Sequence, residues 1–136
     1  MKRGMSVLVA LVVVAVFGTG TAVARRSIST TITHDSHIEL SAGVFLDTGH
    51  LTSRSAYCRA LREVRLVGFS ADGRATDLDV DLSSYFGAWA TLADYSGYTR
   101  VKAKATRLKF RTHSGRRKVC ARAVVIWPAP GSSSLP

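Results

Sequence analysis

Few residues in this chain are equipped for chemistry. His34-Asp35-Ser36-His37, with Glu39 close behind, is the one cluster of metal-type ligands. Imidazole and carboxylate donors suit Zn²⁺ or Cu²⁺ when they converge. On an extended strand neighbours alternate faces, so His37 and Glu39 share one side and His34 points elsewhere unless a turn intervenes. No cysteine or fixed four-ligand spacing accompanies them. The cluster therefore reads as a solvated polar edge, and no metal or cofactor is expected. Asp77, Asp79 and Asp81 form a second group, a carboxylate row on one strand face. Such rows can do acid–base work or hold Ca²⁺, but a half-buried strand also needs a solvent face, and that is the simpler reading. Nucleophilic catalysis needs a serine or cysteine beside a positioned base. No Gly-x-Ser-x-Gly elbow is present, and no catalytic residue is expected.

The most coherent constellation is cationic. Arg100, Lys102 and Lys104 fall on one side of an alternating segment, and Arg107, Lys109 and Arg111 repeat that spacing. Arg116-Arg117-Lys118 extends the group, and Tyr98 falls on the side of Arg100, where it could stack. If the two segments pair or lie side by side, their cations make a stripe that attracts polyanions at long range and weakens with salt. The competing reading is solubility together with a compositional bias towards Arg and Ala. Sequence-specific nucleic-acid recognition is not expected, because no helix-turn-helix, zinc-finger or RNP-type pattern occurs.

These residues need a scaffold, and the chain indicates one. Lys2 and Arg3 precede an apolar run from Val7 to Phe17 and a small-residue stretch ending Ala22-Val23-Ala24. That is the pattern of a Sec signal peptide with cleavage after Ala24, so a secreted, extracellular or periplasmic protein is expected, with no membrane-spanning segment after cleavage. Removing 24 of 136 residues leaves 112, one domain's worth. Removing Lys2 and Arg3 leaves 17 basic residues against 9 acidic ones, a net +8. Cys58 and Cys120 are the only cysteines, and an isolated pair in an exported protein most often forms one disulfide.

Short extended segments follow one another after the leader. Residues 25–44 read as an N-terminal arm or edge strand, and Asp47-Thr48-Gly49 as a turn. Val64 and Leu66 share one strand face. Ser70-Ala71-Asp72-Gly73 is a hairpin-type turn. The alternation from Asp77 to Leu82 places Leu78, Val80 and Leu82 inward. Ser55 to Glu63 has room for a turn of helix, although Cys58 suits a strand entrance better. Ser96-Gly97 and His113-Ser114-Gly115-Arg116 are further turns, Val119 to Trp127 is the last strand, and residues 128–136 read as a disordered tail. Turn signals about ten residues apart, with no long amphipathic helix, predict an all-β fold: an antiparallel β-sandwich over residues 45–127.

Gly49-His50-Leu51-Thr52-Ser53, Cys58 and Arg62-Glu63-Val64-Arg65-Leu66 resemble a Gly-x-Val-x-Ser…Cys…Arg-x-Val-x-Leu pattern. It occurs in small secreted bacterial sandwiches of the transthyretin-like and carboxypeptidase-regulatory-like type. Cys120 stands where those domains carry a second cysteine in the last strand. Ser84-Tyr85-Phe86-Gly87-Ala88-Trp89 stands in place of an Asp-x-x-Gly-x-Trp signature, with Ser84 for the aspartate, and Gly97-Tyr98 follows. The resemblance spans roughly residues 45–127. It implies a Greek-key sandwich of about seven strands pinned by Cys58–Cys120, and a non-catalytic accessory, adhesive or wall-associated role. The expected partners are anionic wall polymers, glycans or membrane surfaces. The alternatives are a protein partner docked at a sheet edge and a secreted enzyme or effector whose site has no recognisable motif.

Overall fold

A computed structural model describes residues 27–130. The expected leader, its cleavage point and the last residues of the tail, 131–136, lie outside the described residues. The described chain forms β1 (Thr31–Ser41), β2 (Val44–Thr52), α1 (Ala56–Arg59), β3 (Glu63–Phe69), β4 (Ala75–Leu82), β5 (Ala88–Asp94), β6 (Arg100–Ala105), β7 (Leu108–Arg111), β8 (Arg117–Cys120) and β9 (Ala123–Pro128). Seven of these strands make two antiparallel sheets, ordered β1-β2-β5 and β4-β3-β6-β9, and β7-β8 is a separate two-stranded ribbon. β4 lies against β5, and β6 returns past both to pair with β3, a Greek-key connection. The all-β sandwich expected from the alternation is the fold observed.

The core lies between the two sheets and is built on a contrast in size. Trp89 and Trp127 pack with ring centroids 6.4 Å apart. Small side chains, Ala93, Ala103, Ala105 and Ala123, leave room for them in the same buried cluster. Ile32, Phe45 and Leu51 close it from one sheet, and Val64, Leu66 and Val101 from the other. Close packing of this kind makes each volume change costly.

Three local readings change in the folded chain. Asp47-Thr48-Gly49 does not turn; it runs through the middle of β2, paired on both sides. Gly49 is needed there for closeness: a Cβ on it would sit 1.8 Å from the Thr33 carbonyl oxygen and 2.5 Å from Trp89 Cζ2. Cys58 lies on α1 and not at a strand entrance. In β4 the register against β3 skips Leu78, since Leu66 faces Asp79 and Val67 faces Asp77. This bulge reverses the phase of the strand. Leu78 packs on the core, but Val80 and Leu82 are exposed. Asp79 and Asp81 instead share the side of Leu66 and Val64 and accept the Leu92 and Ala90 backbone N–H groups, each at 2.9 Å. The carboxylates thus take the place of a ladder between β4 and β5 and blunt two sheet edges.

The Cys58–Cys120 disulfide is present and packs with Ile28 and Phe110 in a second, smaller cluster. Ile28 brackets β8 with backbone bonds to Val119 and Ala121. Arg62, buried to 2 % exposure, donates to the carbonyls of Cys58, Thr106 and Ala121. It ties α1 to the two loops that flank the ribbon, and desolvation lowers its pKa. At the other end, β9 runs to Pro128, and buried Ala129 donates to the Thr99 carbonyl at 2.9 Å, so residues 128–130 belong to the folded body.

Candidate functional site

β1 and β2 hold a polar cluster with a buried centre, Asp47, and a rim at His37 that reaches the surface. His34 stands opposite Gly49 and His37 opposite Asp47, while Asp35 has no partner in the ladder. Strict alternation would send His34 and His37 to opposite faces. One extra residue between them restores the phase, so both imidazoles face inward. Asp35 turns out instead, onto His50 Nδ1 at 2.5 Å, and its hydrogen bonds from His50 and Thr33 hold its carboxyl below the usual range. The expectation that His34 and His37 diverge on a polar edge is overturned by this single bulge.

Asp47 is the centre of the cluster and is fully buried. A carboxylate there is tolerable only when hydrogen-bonded. Its Oδ1 accepts from His34 Nε2 at 2.6 Å and from His37 Nδ1 at 2.7 Å, and its Oδ2 accepts from the Tyr95 hydroxyl. Burial and the adjoining Asp47 carboxylate push the Tyr95 phenol up, so it stays a donor. Aromatic rings fix the imidazoles. His34 stacks on Trp127 with centroids 3.8 Å apart, and His37 on Phe45 at 4.2 Å. His34 Nε2, His37 Nδ1 and a carboxylate oxygen of Asp47 all lie within 4.8 Å of one another. Neither Asp47 nor Tyr95 stood out in the sequence. Asp47 read as part of a turn, and no period marks an unpaired residue that brings two histidines onto one face.

The cations behave differently. Val101, Ala103 and Ala105 point into the core, so Arg100, Lys102 and Lys104 stand together on the outer face of the four-stranded sheet. Arg100 and Lys102 each lie 5.0 Å from the Phe69 ring centroid, a cation–π arrangement at both positions. The stacking expected from Tyr98 is absent; Tyr98 packs against the core over Gly68. β6 pairs with β3 and β9, whereas β7 pairs with β8. The two cationic segments are therefore not hairpin partners. Lys109 and Arg111 belong to the ribbon with Arg117 and Lys118, and Arg107 lies in the link between β6 and β7. Beside the ribbon, Arg54, Arg117 and Lys118 line a cleft of about 600 Å³ with Tyr57 and Phe110, whose rings stack at 5.0 Å.

Charge is divided along the chain. Asp94 is the last acidic residue, and ten Lys and Arg occur from Arg100 to Arg122. Among the described residues, the ion-paired cationic side chains outside histidine are Arg65, with Glu63 and Asp77, and Arg74, with Asp72. Among the described residues, none of the cations of the stripe pairs with a carboxylate. No family model, curated protein or solved structure matches the chain. No helix among the described residues is long and apolar enough to cross a membrane.

Proposed function

We propose that the protein is an exported, non-catalytic β-sandwich that binds anionic polymers of the cell envelope or extracellular space through its basic surface. One observation carries the reading: a carboxylate-free C-terminal third supplies ten cations, and those in the described structure stand without acidic partners. A compositional excess of Arg would scatter among the acidic residues. Here the positive charge is segregated along the chain, from β6 onward, although Arg65, opposite Lys104 on the same sheet face, brings Glu63 and Asp77 with it. Arg100, Lys102 and Lys104 recur every second residue, so their charges are spaced by roughly 6.7 Å along the strand. Phe69 lies beneath two of them and restrains their heads. The ribbon, with Lys109 and Arg111, offers a second cationic surface beside the Tyr57–Phe110 pair, and Arg107 links the two. The disulfide fits the oxidising compartments in which such bonds persist. The resemblance to transthyretin-like sandwiches, which rests on the residues quoted for it, supports the same reading.

Docking of a protein partner at a sheet edge has less to support it. β1 lies against β9 and β4 against β5, which leaves the sandwich little open edge.

Retention on immobilised heparin or purified wall polymer tests the proposal. The wild-type protein is expected to be retained and to elute as salt rises. Lys102→Glu with Lys104→Glu should elute at lower salt, and Lys109→Glu with Arg111→Glu compared beside it assigns the contact to the sheet face or to the ribbon. Elution of both double variants at the wild-type salt concentration would overturn the reading.

A further inference from the structure

We propose that His34 Nε2, His37 Nδ1 and Asp47 Oδ1 bind one divalent transition-metal ion of the Zn²⁺ or Cu²⁺ kind. The three atoms converge from two strands at one point, with both imidazole nitrogens within 2.7 Å of the same carboxylate oxygen. Ligands about 2.0 Å from a tetrahedral metal stand about 3.3 Å apart. The two nitrogen–oxygen distances, 2.6 and 2.7 Å, are tighter, so each need open by less than an ångström to admit an ion, and all three atoms lie within 4.8 Å of one another. Two imidazoles and one carboxylate are a borderline donor set, suited to Zn²⁺ and, by the usual order of affinities, to Cu²⁺ more strongly.

The surroundings have the features that hold a metal site rigid. Tyr95 occupies Asp47 Oδ2, which orients the carboxylate to offer Oδ1 alone. Trp127 and Phe45 stack on the two imidazoles and set their planes. The bulge at Asp35 turns both histidines inward onto Asp47. An ion would enter from the β1 side, where the His34 and His37 side chains are 17 % and 28 % exposed and Asp47 is sealed. Binding replaces two N–H···O bonds with two nitrogen–metal bonds. Each neutral imidazole then carries its proton on the other ring nitrogen, so no oxidant, reductant or leaving group is involved. Three protein ligands leave a coordination position open to water or a small anion. The site is separate from the cationic surface, so either proposal can fail without the other.

Calorimetric titration of the mature, oxidised protein with ZnCl₂ and with CuCl₂ tests the site. One ion per chain is expected. His37→Gln and His34→Gln should each weaken binding at least about tenfold, since the loss of even an outer-sphere partner has that effect. His113→Gln, in the β7–β8 turn, should bind as the wild type does. Because Trp127 lies against His34, Cu²⁺ should also quench tryptophan emission at the same stoichiometry. Electron paramagnetic resonance of the wild-type Cu²⁺ complex should register two coordinated nitrogens and requires no variant to fold. Absence of saturable binding, binding unchanged in both histidine variants, or a copper signal without nitrogen ligands would overturn the proposal.

Discussion

The inner cluster of β1 and β2 and the outer cations of β6 are both polar groups on strands, and the fold treats them in opposite ways. The outer row follows the strand's own period: every second residue faces water, and nothing but Phe69 restrains the heads of Arg100 and Lys102. The inner cluster breaks the period at Asp35 and buries a carboxylate under three donors and a wall of rings. A polar surface that keeps the strand's phase is cheap and can be altered freely. A polar group brought inside by a bulge depends on all its neighbours, because each partner lost leaves a buried charge less satisfied.

Perturbations should sort by which of the two regions they touch, or by whether they strike the frame common to both. Cys58→Ser with Cys120→Ser removes the frame's cross-link across a loop of 62 residues in sequence separation. By chain entropy the expected loss is about 4 kcal/mol, read from urea unfolding midpoints. Gly49→Ala strikes the inner region. A methyl group 1.8 Å from a carbonyl oxygen must push β1 or Trp89 aside, and about 3 kcal/mol of destabilisation is expected by thermal melting. Tyr95→Phe deletes only the hydroxyl on Asp47. It should cost about 1–3 kcal/mol; a smaller loss would mean that the two imidazoles suffice for the buried carboxylate.

Lys102→Glu with Lys104→Glu should change stability by less than about 0.5 kcal/mol while shifting elution from a polyanion. A large loss of stability there would erase the contrast between the regions. The smallest effect expected is from Asp94, exposed at the end of β5, whose carboxyl is held below its usual range by Ser96. A depressed folded pKa contributes stability above the unfolded value of about 3.9 and loses it as pH falls through the folded one. Asp94→Asn should therefore lower stability slightly at neutral pH, and the difference from the wild type should vanish as pH falls below about 4.

The extent to which the sequence anticipates these features depends on where register is set. Alternation in Arg100–Ala105 specified both the strand and its outward cations, because neither neighbour interrupts the ladder. Alternation in Asp77–Leu82 was equally regular and led to the wrong faces for Val80 and Leu82, because the bulge at Leu78 reversed it. Asp47 and Gly49 have turn-forming residue types. Packing overrode that preference: Gly49 suits a strand that Trp89 must approach closely, and Asp47 suits one that two histidines and a tyrosine can satisfy.

By itself, the amino-acid sequence determined the all-β class, the candidate cysteine pair and the excess of positive charge, since composition and a two-residue period act locally. Tertiary structure alone decided that β6 and β7 part company, that Asp79 and Asp81 cap a neighbouring strand, and that His34, His37, Asp47 and Tyr95 meet. Each of these depends on a single unpaired residue or a choice of strand partner. Such choices are fixed by contacts between segments far apart in the chain and not by the residues on either side.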